Sequence, residues 1–334
     1  MPGNFSEDEA TSLLRTKYAP KIQDTIFKSN ALFATLYQQR SFFRGGRTLT
    51  HPLMYEADVE GEGGEFDISD ETFGTSTADA FNTSSFRWRA YQYPIKVHEI
   101  ELAEFGDDDT RAINLLASRS QRAAMALSSR LGKHLFKAIG TGPKQILSLN
   151  DAFGRTNVYG TIDRSNADNA HWLCKQVNMD PAGTSTATTL TLRKVHDTIE
   201  EASEGQIRPK FGITYLQVYS KLWSLALTNQ RYAATGQTTY LGFPAIQVDG
   251  IPIVKNKNAD NDGLDGASEE RRKIRFLNTD YWEFVTHQNY DWYVRPFRLV
   301  GNDGVVWVAR IFWFGNVYTV NPRYNSELIN IDED

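Results

Sequence analysis

Apolar residues recur three or four apart from Asp107 to Ile139, at Ile113, Leu116, Ala123, Leu127, Leu131, Leu135 and Ala138. The stretch holds no proline and one glycine, Gly132, so the spacing predicts one long amphipathic helix. At ~1.5 Å per residue it spans roughly 45 to 50 Å, the length of a strut. Upstream, the capping-box pair Ser6 and Glu9 predicts a short helix from Glu7 towards Lys17. Ile22, Ile26, Phe33 and Leu36 line a second helix that ends before Gly45 and Gly46. Apolar on one side and ahead of the sheet signals, these helices read as an arm packed on something else, a neighbouring subunit being one candidate.

Elsewhere the period is two. Thr48 to Tyr55 predicts a strand, and Ser85 to Glu104 alternates, with Phe86, Trp88 and Ala90 on one face and Arg87 and Arg89 on the other. Between these runs lies an acidic, glycine-rich segment, Glu56 to Glu71, with little to bury. Two strands flanking such a segment make an extended hairpin that projects from the body, because a compact domain has no place for so long a structureless loop.

The stretch from Gly140 to Gly160 is rich in turn formers and reads as irregular, followed by a loop through Trp172. Thr191 caps a helix through Leu192, Val195, Ile199 and Ala202, Phe211 to Thr214 is a strand, and Leu216, Tyr219, Leu222, Trp223 and Leu227 form another helix. Ala245–Val248 and Ile251–Val254 flank Asp249-Gly250, a strong hairpin signal. The last region is antiparallel sheet, with strands over Trp282 to Thr286, Val305 to Phe314 and Val317 to Val320 and turns at Asn302 to Gly304 and at Gly315-Asn316.

Charge sharpens this picture. Beyond Asp107, Asp108 and Asp109, every charged residue up to Lys144 is positive, and Arg119, Arg122, Arg130, Lys133 and Lys137 fall to one side of the apolar helix face. The acidic segment is its counterpart. The two are poorly placed to meet within one subunit and well placed to meet between neighbours, where complementary charge sets register. Facing a packaged nucleic acid is the other use of the stripe. With 334 residues, 40% of them hydrophobic, the chain is globular, and its net charge of -5 argues against a dedicated nucleic-acid reader. One cysteine, Cys174, excludes an intrachain disulfide and a cysteine-rich zinc site. The Asn4 to Glu9 start lacks a signal-peptide pattern, and no run of about 18 apolar residues occurs. Both point to a protein made in a reducing cytoplasm, without a membrane partner.

Candidate chemistry is thin. Counted from Asn258 as position one, Asp260, Asp262, Gly263 and Glu269 fall on EF-hand positions three, five, six and twelve, but position one is Asn where the motif has Asp. Asp265 at the usually apolar position and the strand in place of an entering helix make a solvated loop the better reading. His171 with Cys174 lacks a partner cluster, His98 with Glu99 and Glu101 sits on an alternating strand, and Gly140 to Lys144 lacks phosphate-loop spacing. No catalytic residue, metal site or cofactor is assigned.

The order of arm, acidic hairpin, long helix, mixed middle region and closing strands resembles the major capsid proteins of tailed bacteriophages, an α+β fold named for phage Hong Kong 97. Local wording agrees over about Leu32 to Val320: Gly160-Thr161-Ile162-Asp163-Arg164-Ser165 with Trp172 beyond it, Gly242-Phe243-Pro244-Ala245, and Phe276-Leu277-Asn278-Thr279. The resemblance implies an amino-terminal arm over 1–46, an extended loop over 47–93, peripheral-domain strand and spine helix over 94–146, an axial domain over 147–275 and closing peripheral strands over 276–334. It also implies a virion shell assembled in the host cytoplasm as hexamers and pentamers around double-stranded DNA, served by a separate scaffolding protein, a portal and a decoration protein. The intersubunit contact then pairs Glu56, Asp58, Glu60, Glu62 and Glu65 with Arg119, Arg122, Arg130, Lys133 and Lys137. No lysine lies between Lys28 and Lys96, so the extended loop has none for the cross-link that some members make. An encapsulin-like cargo compartment is the alternative within this fold. A soluble calcium-dependent binding protein or enzyme is the alternative outside it.

Overall fold

The computed structural model describes residues 30–54, 81–98, 101, 109–140, 142–179, 189–229, 238–256, 272–300 and 306–331. The expected helix from Glu7, the acidic residues Glu56 to Glu71, the EF-hand-like sequence Asn258 to Glu269 and the turn at Asn302 to Gly304 lie outside the described residues.

In chain order the first half comprises α1 (Ala31–Gln38), β1 (Ser41–Phe43), β2 (Thr48–Met54), β3 (Phe81–Arg87), β4 (Arg89–His98), α2 (Asp109–His134), α3 (Leu149–Phe153), β5 (Val158–Tyr159), β6 (Ile162–Asp163) and β7 (Lys175–Asn178). The second half adds α4 (Leu192–Glu201), β8 (Phe211–Thr214), α5 (Leu216–Asn229), β9 (Thr238–Tyr240), β10 (Phe243–Val248), β11 (Ile251–Lys255), β12 (Ile274–Leu277), β13 (Trp282–His287), β14 (Tyr293–Val300), β15 (Val306–Thr319) and β16 (Ser326–Ile329).

These strands form two main sheets. In the first, β15 is central: β4 pairs with one side of it, β14 and β13 share the other, and β1 adds to β13 in parallel. One face of this sheet is packed. Tyr91, Ile95 and Val97 of β4 and Ala309, Ile311 and Trp313 of β15 are buried there with Leu116, Ala123, Leu127 and Leu131 of α2. Phe33 of α1 meets Phe284 edge-on at 4.9 Å. Residues 31–38 therefore close their own subunit's core, not that of the candidate neighbour; Leu32, Phe33 and Leu36 are too apolar to be left outside it.

The second sheet runs β7-β16-β12-β8-β11-β10-β9, with β8 and β11 parallel and the Asp249-Gly250 turn, both residues at positive φ, joining β10 to β11. Ile253, Ile274, Phe276 and Leu328 pack with Val195 and Ile199 of α4 and Val218 and Leu222 of α5. Thr191 caps α4 as its sequence predicts, accepting from the Lys194 amide.

Several expectations change. The long helix ends at His134, five residues short of Ile139. Leu135 and Phe136 turn into the core, and the Asn150 amide donates to the carbonyls of Phe136 and Lys137 that the helix end leaves bare. The supposedly irregular region holds α3, closed by a capping box between Ser148 and Asp151. No turn occurs at Gly315-Asn316; β15 runs straight through. A Cβ on Gly315 would fall 2.5 Å from the Val285 carbonyl oxygen, so glycine here permits close approach. Phase also flips at Trp88, where β3 gives way to β4: Phe86 is buried, Ala90 is exposed and Tyr91 is buried. Residues 89–93, expected in the extended loop, thus begin the first sheet. β16, expected among the closing peripheral strands, lies in the second sheet between β7 and β12.

Gly315→Ala is expected to lower stability by about 1 to 3 kcal/mol through overpacking. An unchanged urea midpoint would show that the strands do not touch there.

Candidate assembly interface

β2 and β3 pair from Thr48 opposite Arg87 to Met54 opposite Phe81, forming the base of the expected hairpin as a two-stranded ribbon. Its root is bound to the body by Phe86, which stacks on Tyr318 at 4.2 Å and meets Tyr159 at 5.2 Å. The Ser85 amide donates to the Gly160 carbonyl. Gly160, at φ +61°, lets Phe86 approach, since a Cβ would lie 2.8 Å from the ring. Below the ring, the Tyr318 hydroxyl donates to Glu283 at 2.8 Å and lies 2.8 Å from His51 Nε2. Burial beside the Glu283 carboxylate pushes the Tyr318 hydroxyl far up, so it stays protonated and available as a donor.

The Gly160 to Arg164 sequence therefore builds a joint. Arg164 is buried, and its Nη1 donates to the carbonyls of Asp151, Ala152 and Gly154 at 3.1, 2.7 and 2.7 Å, capping α3. Arg275 lies over the Phe153 ring and donates to Glu327 at 3.3 Å and to Asn150. Asp151 takes Lys137 at 3.7 Å. This cluster of buried charges was not legible beforehand, because its members are far apart in sequence and only the folded chain brings them together.

The predicted basic stripe divides. Lys137 lies beyond the end of α2 and is 4% exposed, so it leaves the stripe. Arg119 donates through Nη2 to both oxygens of Glu101 at 2.7 Å and also reaches the Lys96 carbonyl. That guanidinium depresses the Glu101 carboxyl, and Arg119 is engaged within its own subunit. Arg122, Arg130 and Lys133 are exposed. Their acidic counterparts Glu56, Asp58, Glu60, Glu62 and Glu65 lie outside the described residues.

A second basic surface had no signal in helical periodicity. On the face of the first sheet turned away from α1 and α2, Arg295 stands directly opposite Arg310, and Arg298 and Lys96 flank Val308 from either side. All four cations are exposed. The same face carries Tyr293 opposite Phe312, and Tyr290 stacked on Phe314 at 4.4 Å. Phe312 and Phe314 are half-exposed, whereas Trp313 is buried.

Other candidate chemistry is engaged structurally. Cys174 donates to the Ala152 carbonyl at 3.3 Å, and burial pushes its thiol up to about 12, far from a nucleophile's range. His196, Glu200 and Asp249 are close enough for a metal, but all are exposed and Arg208 bridges the two carboxylates as their counterion. Among the described residues no helix is long and apolar enough to cross a membrane.

No family model and no curated sequence matches the chain. Solved structures do. The capsid asymmetric unit of cyanophage A-1(L) superposes with a TM-score of 0.59 at 13% identity, over 90% of this chain and 92% of that one. The capsid of Myoviridae phage XM1 gives 0.52 at 9% identity, over 89% and 92%. The SrpI encapsulin complex of Synechococcus elongatus gives 0.53 at 11% identity, over 89% and 87%. The chain has the Hong Kong 97-type fold.

One pH response follows from the geometry. Burial, then the charges of Arg130 and Lys137, hold the His134 imidazole down at about 4, and its Nδ1 lies 2.8 Å from the Tyr91 hydroxyl, which accepts from the Ile146 amide. The unfolded chain thus binds a proton near pH 6.5 that the folded chain refuses until about 4, so stability falls as pH drops through that window. His134→Gln should flatten this part of a plot of urea midpoint against pH; an unaltered slope would place the titration elsewhere.

Proposed function

We propose that this protein is the major capsid protein of a tailed bacteriophage, a structural subunit that assembles into hexamers and pentamers of an icosahedral shell around double-stranded DNA. The observation that carries this reading beyond the fold is the ribbon. A two-stranded hairpin is marginal by itself in water, and residues 48–86 carry nine Asp and Glu with no Lys or Arg. A ribbon of that composition has little to gain from its own body and much from a basic surface on a neighbour. Individual exposed pairs contribute only about 0 to 1 kcal/mol, so the effect rests on repetition around a closed assembly.

Such a wall has two sides. The root of the ribbon is on the open side of the first sheet, and α2, with Arg122, Arg130 and Lys133, is on the other. The opposite placement favours the second use of the helix cations, as a mildly basic lining that holds DNA without reading it. A separate scaffolding protein, a portal and a decoration protein complete this reading, with assembly in the host cytoplasm. The encapsulin likeness supports the same shell with protein cargo instead; particles carrying a cargo enzyme and no nucleic acid would select that reading.

Purified protein at moderate salt is expected to form closed particles in electron micrographs. Glu56→Gln, Glu60→Gln, Glu62→Gln and Glu65→Gln together should abolish them while circular dichroism and thermal unfolding of the subunit stay unchanged. Strong detergent should return wild-type particles to single 37.8 kDa chains. Solitary subunits under all salt conditions would sink the assignment, and a ladder of covalently linked subunits would sink the noncovalent shell.

A further inference from the structure

We propose that His196, Glu200 and Asp249 form a binding site for a divalent transition metal of the zinc class, which takes the place that Arg208 holds between the carboxylates and pins the β10–β11 turn to α4. The site is built within one subunit and does not depend on assembly into a shell.

Its donors come from two rigid elements. His196 and Glu200 are four apart on α4 and so share one face of that helix. Val195 and Ile199, one position earlier, are fully buried against the second sheet and fix how the helix is turned. Asp249 belongs to the tight turn between two paired strands, at φ +50° with Gly250 at +79°, so its carboxylate is held beside the helix. His196 Nδ1 lies 3.4 Å from Asp249 Oδ2. Ligands at about 2.1 Å from a tetrahedral zinc ion are about 3.4 Å from one another, so one edge of the tetrahedron is already formed. The three donor atoms all lie within 4.8 Å of one another, and all three residues are exposed. Glu200 closes the remaining distance by turning its free-standing side chain, and water takes the fourth position. One imidazole with two carboxylates favours zinc, cobalt or nickel over calcium and magnesium, which prefer oxygen ligands alone.

The place for the cation is marked by Arg208. A single nitrogen of it, Nη2, donates to Glu200 Oε1 at 2.7 Å and also to Asp249 Oδ2. A guanidinium matched to carboxylates uses two nitrogens in parallel. Here one nitrogen serves both partners, while among the described residues Nε is out of water with no hydrogen-bond partner. The gap between the two carboxylates therefore suits a point charge, and a planar fork fills it imperfectly. With 41% of its side chain exposed, Arg208 can swing into water when a metal displaces it.

The test titrates zinc chloride into the purified full-length chain by calorimetry, with cobalt(II) as the spectroscopic probe. One zinc per chain is expected, together with the intense visible bands of four-coordinate cobalt. Both should be lost in His196→Ala and in Asp249→Asn, with circular dichroism unchanged. Arg208→Gln removes the competing cation and should tighten zinc binding roughly tenfold, the combined worth of two exposed ion pairs. Zinc should also raise the thermal unfolding midpoint of the wild type, and EDTA should return it. No zinc bound by the wild type or by Arg208→Gln, zinc bound equally well by His196→Ala, or an affinity that Arg208→Gln leaves unchanged or weakens would overturn the inference. So would calcium binding that survives His196→Ala and is abolished by Asp249→Asn, since the site would then be one of carboxylates alone.

Discussion

The guanidinium of Arg164 is out of water and in contact with three backbone carbonyls at the end of a five-residue helix. A buried charge of this kind is tolerated only when its surroundings coordinate it, and removing one partner of a buried pair typically costs about 3 to 5 kcal/mol. Around the same short helix lie Lys137 with Asp151 and Arg275 with Glu327, so the end of the long helix and the second sheet meet in one polar joint. Arg164 belongs to the turn whose Gly160 receives Phe86. Because these demands meet at one short helix and turn, the seat of the β2–β3 pair is fixed by the same contacts that hold the two sheets together.

The body is divided by charge as well as by sheet. Its first sheet is apolar on the side that meets the helices and basic on the other, while the ribbon segment gathers nine acids. The rest of the chain, taken with the total of -5, is therefore at +4. Two basic faces of this kind repel one another, and each attracts acidic surfaces. Selection among orientations is the work that complementary charge does best.

Much of this was legible in the sequence. The Asp249-Gly250 turn, the Thr191 cap, the strand at Phe211 and the long helix follow from local rules of turn chemistry, capping and period, and the folded chain keeps them. Local rules failed where a distant partner overrode them. Gly315-Asn316 looks like a turn, yet the glycine is there for the sake of the Val285 carbonyl, and Asn316 bonds Leu147 and Arg87. Lys137 fits helical spacing, but Asn150 and Asp151 draw the chain inward before it. The basic sheet face escaped for a related reason: Arg295, Arg298, Arg310 and Lys96 are scattered along the sequence, and only strand pairing aligns them. Helical stripes are visible in one dimension; patches that cross strands are not.

The position of β16 has a bearing on when this fold can exist. Residues 326–329 sit inside the second sheet, hydrogen-bonded to β12 on one side and to β7, about 150 residues earlier, on the other. Until they emerge from the ribosome, the strand edges of β7 and β12 are bare and the Arg275 guanidinium lacks Glu327. A nascent chain thus cannot close the second sheet, and the finished fold waits for residues 326–329.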